Sequence, residues 1–106
     1  MLDYALVAPA ALAAVDESTN IDMLGRRGLA IQIAGTFVGT LTFKATVNGT
    51  AYHPVGLTPV AGGAVATTAD AAGIWTLDIN PGYTKIQVYW TARTSGAVTV
   101  TALATD

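Results

Sequence analysis

Apolar and polar side chains alternate along Leu29-Ala30-Ile31-Gln32-Ile33, and the same period of two returns along Leu41-Thr42-Phe43-Lys44-Ala45-Thr46-Val47. A second pair of alternating runs follows at Ile86-Gln87-Val88-Tyr89-Trp90-Thr91 and at Val98-Thr99-Val100-Thr101. Successive side chains of a strand point to opposite faces, so this period is typical of strands that bury one face. The four runs therefore predict a β protein.

Turn residues divide the chain into short strands, with a turn about every 8–12 residues. Asn48-Gly49 predicts a two-residue hairpin turn, and Arg93-Thr94-Ser95-Gly96 predicts a four-residue hairpin loop. Pro54 has no N–H to donate, so its strand should lie at a sheet edge or break there. The spacing predicts an all-β fold, a jelly-roll-like antiparallel β-sandwich of eight to nine short strands with an N-terminal arm.

The 106 residues are enough for one domain with its own core, and the chain has no cysteine for a disulfide. Residues 1–16 are predicted to form either an arm that docks on a neighbouring subunit or the first strand of the sandwich. Within them, Pro9 to Val15 is alanine-rich and also allows a short helical turn. Residues 17–106 are predicted to form the β-sandwich domain.

The composition argues against several classes of partner. Charged residues make up 11% of the chain, against about 25% in a typical soluble domain. No basic patch is available for phosphates, so nucleic-acid binding is not expected. No apolar run reaches the ~20 residues of a bilayer span, so no membrane partner is expected. A surface with so little charge favours an assembly in which subunits cover much of one another.

Residues that carry chemistry are few and scattered. His53 is the only histidine, and Asp22, Asp70 and Asp78 fall on predicted turns or solvent faces. The acidic stretch Asp16-Glu17-Ser18-Thr19-Asn20-Ile21-Asp22 matches no calcium-binding loop. The sequence therefore predicts a protein that is not an enzyme and has no catalytic, cofactor or metal site.

Tyr89 lies out of phase with the apolar residues of its strand, so we expect it to point outward. Together with Tyr52, Tyr83 or Phe37 it would form an aromatic platform for a sugar. The alternative is an aromatic side chain packed against a loop or a neighbouring subunit. Trp90 is in phase with the predicted core.

Arg26 and Arg27 form the one basic pair of the sequence and lie in a predicted turn. We expect them to pair with acids such as Asp22 or Glu17, within the chain or across an interface. The predicted partner interface combines these arginines with arm residues and exposed tyrosines: Leu2, Tyr4, Leu6, Val7, Arg26, Arg27, Tyr52 and Tyr89.

A resemblance extends over roughly residues 20–104. It lies in Arg27-Gly28-Leu29-Ala30-Ile31-Gln32-Ile33-Ala34-Gly35-Thr36 with the strand and Asn48-Gly49 turn that follow, and in the later stretch from Gly73-Ile74-Trp75 to Val98-Thr99-Val100. This arrangement of strands and turns resembles small β-sandwich domains of tailed-bacteriophage virion proteins. It brings no catalytic or binding motif with it, so no site residue follows from it.

The resemblance implies a capsid decoration (cement) protein, which stabilises the phage head by bridging subunits of the major capsid protein. It also implies a homotrimer on the capsid surface of the virion, made in the host cytoplasm. The alternative is a carbohydrate- or receptor-binding module of a tail or head fibre, with a glycan as ligand. Tyr52, Tyr83 and Tyr89 would converge on an open face in the second case and lie between subunits in the first.

Overall fold

The computed structural model describes residues 4–23, 26–77 and 80–105. These residues form ten β-strands and no helix. The strands are β1 (Tyr4–Leu12), β2 (Ser18–Asp22), β3 (Gly28–Ala34), β4 (Phe37–Thr46), β5 (His53–Pro54), β6 (Thr58–Pro59), β7 (Thr68–Ala69), β8 (Gly73–Leu77), β9 (Lys85–Gly96) and β10 (Val98–Thr105).

Two five-stranded antiparallel sheets pack face to face. Sheet A has the order β1-β10-β3-β8-β6, and sheet B has the order β2-β9-β4-β5 with β7 also paired to β4. The predicted all-β antiparallel sandwich is confirmed. The described residues form ten strands instead of eight to nine, and the two-residue strand β6 is too short to show an alternating pattern.

The core lies between the sheets and is built from every second residue of the long strands. In β9, Ile86, Val88 and Trp90 are fully buried, as their alternation predicts. Aromatic rings pack in this core: the Phe43 and Trp75 centroids lie 5.6 Å apart between the two sheets, and within sheet B Phe37 meets Trp90 edge-on at 5.7 Å. Such pairs add about 0.5–1.5 kcal/mol each beyond the apolar area that they bury.

Two adjacent corners carry the chain from one sheet to the other. β3 in sheet A continues into β4 in sheet B at Gly35, and β9 in sheet B continues into β10 in sheet A at Gly96. Both glycines have positive φ, 123° and 89°. A Cβ on Gly35 would lie 2.5 Å from the carbonyl oxygen of Ala97, and one on Gly96 would lie 2.2 Å from that of Thr36. The two corners therefore pack against each other, and only glycine fits at either.

The hairpin loop predicted at residues 93–96 is wrong. β9 continues to Gly96, which pairs with Phe37 at the end of β4. β10 pairs with β1 and β3 instead of β9, so no hairpin joins these two strands. A glycine at this position permits a corner between sheets as readily as a hairpin turn, which is why the local sequence misleads.

The two-residue turn predicted at Asn48-Gly49 is also wrong, because β4 ends at Thr46 and β5 begins at His53. Gly49 has positive φ, but Asn48 does not. The Oδ1 atom of Asn48 accepts hydrogen bonds from the N–H groups of Thr50 and Ala51, both at 2.9 Å. The asparagine side chain thus organises a longer loop. Pro54 lies in the edge strand β5, as predicted.

β1 is an edge strand of sheet A. It pairs with β10 from Tyr4 opposite Thr105 to Leu12 opposite Val98, with an irregularity between Val7 and Ala10. The helical turn considered for Pro9 to Val15 does not form, because the strand runs through Leu12. Docking of residues 1–16 on a neighbouring subunit stays a prediction.

The glycine corner generates a stability prediction. Gly96→Ala should lower the free energy of unfolding by about 3 kcal/mol or more, since the new Cβ meets a carbonyl oxygen and φ stays positive. Gly62→Ala is the matched control: its φ is also positive at 106°, but nothing lies within 4 Å of the new atom. We expect it to cost about 1–2 kcal/mol. Urea denaturation measures both values, and equal losses would contradict the steric account.

Candidate interaction surfaces

The predicted interface residues lie on different parts of the molecule. Leu2 lies outside the described residues, and the backbones of Tyr4, Leu6 and Val7 belong to edge strand β1. The arginines, Arg26 and Arg27, precede β3 beside the loop at residues 80–84. The structure therefore does not gather the predicted residues into one patch.

Tyr52 and Tyr89, the other tyrosines of the predicted interface, lie on the side of sheet B, whereas β1 belongs to sheet A. Tyr52 is half-buried in the loop before β5, at one edge of sheet B. Tyr89 points outward from β9, as its phase predicts, and lies near the middle of the same sheet. The interface assignment of the whole set stays a prediction.

The outer face of sheet A is uncharged. Every second residue of its described central strands points away from the core, and all of these residues are small, apolar or neutral: Ala30, Gln32, Ala34, Ile74, Thr76, Thr99, Thr101, Leu103 and Thr105. Ile74 is 41% exposed. A shallow depression of about 200 Å³ crosses this face. We refer to these nine residues as the neutral face.

The outer face of sheet B, in contrast, carries charge. Asp22 in β2 pairs in register with Lys85 in β9, and Lys44 in β4 pairs with Gln87. The side-chain amide of Gln87 donates a hydrogen bond to Asn20 at 3.1 Å. Charges are thus concentrated on one sheet of the sandwich, although they are spread along the sequence.

Tyr89 stands at the centre of this charged face. Its hydroxyl donates a hydrogen bond to Asp16, and the Lys44 ammonium lies 4.4 Å from its ring centroid. The hydrogen bond to Asp16 is the main cause that raises the pKa of Tyr89 above its ordinary value of 10.0, followed by burial and the negative charge. Asp16 has positive φ, 70°, where asparagine and aspartate are tolerated better than most residues. The contact fixes the β1–β2 connection against sheet B.

The aromatic side chains do not form one platform. Phe37 packs on the core beside Trp90, and Tyr83 is also partly buried against the core. Tyr83 lines a depression of about 470 Å³ together with Asn48 and His53, at the end of the molecule where the β4–β5 loop lies. Tyr89 does not line that depression, so Tyr83 and Tyr89 lie on separate surfaces.

Asn80 joins two loops at this end of the molecule. Its Nδ2 donates to the carbonyl oxygens of Arg26 and Tyr83 at 2.9 and 3.0 Å, while its Oδ1 accepts from the N–H groups of Gly82 and Tyr83. A second depression, about 350 Å³, lies beside it and includes Arg26, Arg27 and Asp22. Asp22 thus lines the same depression as the basic pair, whereas Glu17 accepts from the N–H of Ala13. Pairing of the arginines with these acids stays a prediction.

The candidate acids remain apart. Asp22 and Asp70 are exposed, and Asp78 lies outside the described residues. His53 is exposed in β5. Within residues 4–23, 26–77 and 80–105, no three histidine, aspartate or glutamate residues come together in a group suited to a metal ion. The same residues contain no helix long and apolar enough to cross a membrane.

Sequence reasoning missed Asp16 and Asn80 as organising residues. Asp16 lies in the acidic stretch that matches no calcium-binding loop, and its partner Tyr89 is 73 residues away. Asn80 precedes Pro81-Gly82, residues that are typical of a turn, and its local sequence does not indicate its other partners. In both cases the side chain of a turn residue binds groups that only the folded chain brings near.

The sequence matches no protein-family model, and no curated protein matches it. The solved structures that share the fold include the following two. The chain is similar to the SPBc2 prophage-derived protein YomS, with a TM-score of 0.82, 17% identity, and coverage of 100% of this chain and 96% of that protein. It is also similar to the PBSX exported protein XepA, with a TM-score of 0.75, 19% identity and coverage of 94% of this chain. It corresponds to 39% of the length of XepA.

The Tyr89–Asp16 contact generates a prediction on pH. Because the folded state raises the pKa of Tyr89, the hydrogen bond stabilises the fold fully below the ordinary pKa and is lost as pH rises through the raised value. Tyr89→Phe should therefore be less stable than the parent at pH 8. The difference in the free energy of unfolding between the two proteins should decrease above about pH 10. Urea melts at several pH values measure this. Tyr52→Phe is the control. A stability difference between Tyr89→Phe and the parent that stays constant to pH 11 would contradict the mechanism.

A second prediction concerns Asn80. Asn80→Ala removes four side-chain hydrogen bonds of a half-buried residue, so it should lower the free energy of unfolding by about 2–4 kcal/mol. Asn20→Ala, which loses one exposed hydrogen bond to Gln87, should cost less than about 1 kcal/mol. Urea denaturation compares the two. Equal losses of unfolding free energy would mean that the hydrogen bonds of Asn80 between the two loops do not stabilise the fold more than one exposed hydrogen bond does.

Proposed function

We propose that this chain is a non-enzymatic structural protein of a phage-derived particle, a decoration or cement protein that stabilises a protein shell by bridging its subunits. The observation that carries the proposal is the match in fold to a prophage-derived protein over the whole of this chain and 96% of the other. The two proteins thus share both the fold and nearly the same size. The sequence resemblance to virion β-sandwich domains supports the same assignment.

The unequal outer faces of the sandwich support a role in binding a surface. The neutral face can lie against a shell without burying an unpaired charge, which would cost several kcal/mol. The charged face of sheet B then stays in water, where its Asp22, Lys44 and Lys85 keep the assembly soluble. The partner proposed for the neutral face is the major capsid protein, on the outside of a virion assembled in the host cytoplasm.

A second candidate function is a glycan- or receptor-binding module of a fibre. Two observations favour it: the same fold makes up 39% of the longer XepA chain, and the 470 Å³ depression combines Tyr83 with the polar side chains of His53 and Asn48. An aromatic ring with nearby hydrogen-bonding groups is the usual composition of a small-ligand site. The distance of Tyr89 from this depression makes it the weaker of the two proposals.

Particle binding tests the first proposal. Particles from cells that lack the gene should rupture at a lower temperature than complete ones, and added purified protein should restore them. Thr101→Lys with Gln32→Lys should weaken binding at least about tenfold, since two charges enter the neutral face.

Asn20→Lys with Thr42→Lys places the same charge on sheet B and serves as the control. Cosedimentation with particles measures the affinity of each variant. Equal binding by both double variants would contradict the assignment of the neutral face. Particles that neither bind nor need the protein would contradict the cement function, and a positive glycan screen would then favour the second candidate.

A further inference from the structure

Edge strands expose unpaired backbone groups. Most edge strands of this chain have features that discourage pairing with another chain. β5, β6 and β7 have two residues each, and two of them contain proline, Pro54 and Pro59. β2, the other edge of sheet B, carries Asp22 at its end. Short strands, prolines and charges are the usual devices that stop a sheet from pairing with another chain.

β1 is the exception. Its nine residues, YALVAPAAL, contain no charge. One edge pairs with β10, and no strand among the described residues pairs with the other. Pro9 and the irregularity between Val7 and Ala10 interrupt its second half, but Tyr4–Ala8 has neither a proline nor a charge. Alternate residues of an edge strand direct their N–H and C=O groups away from the sheet, so this segment is a template for strand addition.

We propose that residues 4–8 pair antiparallel with the same segment of a second copy, about a two-fold axis near Leu6. The pairing joins two A sheets into one continuous sheet. It differs from the trimer that the resemblance implies, because an interface formed by one patch on both copies closes at two subunits. It uses the edge of sheet A and leaves the neutral face open, so it does not depend on the proposed function.

The absence of charge and the symmetry of the pairing favour a second copy of the chain as the partner of this segment. An antiparallel pair of identical segments satisfies the outward groups of both strands in one register. Neither copy brings a charge into the segment, whereas addition of β2 from another copy would place Asp22 against β1. The two-residue edge strands are too short to compete.

Light scattering gives the first test. The parent protein should have twice the 10.8 kDa mass of one chain at micromolar concentrations. Leu6→Lys should weaken association at least about tenfold, since two like charges meet near the axis. Ala11→Lys adds the same charge to the same strand beyond Pro9, at an exposed position, and should remain dimeric.

Single cysteines give the second test, because the chain contains no cysteine of its own. Leu6→Cys should cross-link to itself on oxidation, since opposite residues in antiparallel strands lie about 4.5–5.5 Å apart, within disulfide range. Tyr4→Cys and Ala8→Cys should cross-link when mixed but not separately. Ala11→Cys is the control, because its two copies would lie about 34 Å apart.

The outcomes separate the possibilities. A parent monomer at 100 µM, or a trimer that Leu6→Lys leaves intact, would overturn edge pairing and leave the cement proposal standing. Cross-linking of Ala11→Cys as fast as that of Leu6→Cys would also overturn it. If circular dichroism shows that Leu6→Lys does not fold, the mixture of Tyr4→Cys and Ala8→Cys decides the question alone.

Discussion

The close contact between the corners at Gly35 and Gly96 is the constraint on which the fold depends. β3 pairs with β10 in sheet A, and β4 pairs with β9 in sheet B. These four strands form one long two-stranded ribbon, which bends from the first sheet to the second where the two glycines meet. The bend places Phe37 against Trp90 inside the angle, and the remaining strands add to the ribbon's sides. A side chain at either corner would meet a backbone carbonyl oxygen of the other and destabilise the bend.

The sequence predicted the members of this ribbon but not its bend. Alternation over four or more residues locates β3, β4, β9 and β10, because burial of one face acts on every second residue. The corner at residues 93–96 was predicted as a hairpin loop, since glycine is compatible with both and the difference depends on which strands pair. Asn48 shows the same limit. Its preference for turns was recognised, yet whether its side chain or a pair of positive φ angles makes the turn depends on tertiary packing.

The candidate surfaces were less predictable than the fold for a related reason. The phase of Tyr89 gives its direction, but its partner Asp16 is brought near only by the pairing of β2 with β9. The charges of sheet B are likewise spread along the sequence and meet only through the register of three strands. The neutral face arises in the same way. The chain has few charged residues, and the strand order leaves none of them on these strands of sheet A. The pattern of one strand therefore predicts which of its side chains point outward. Which outward side chains become neighbours depends on the strand order.

The open edge and the neutral face belong to the same sheet but point in perpendicular directions. Strand addition at β1 extends sheet A within its plane, whereas the neutral face lies above that plane. Pairing of two copies would then leave both neutral faces open and on one side of a wider sheet. Two linked faces that bind one surface gain affinity through effective concentration, without any stronger contact in either copy. A domain of 106 residues with 11% charged residues has few strong contacts to offer a partner. Such a domain would therefore hold a large assembly together by repeating the same weak contact in many copies.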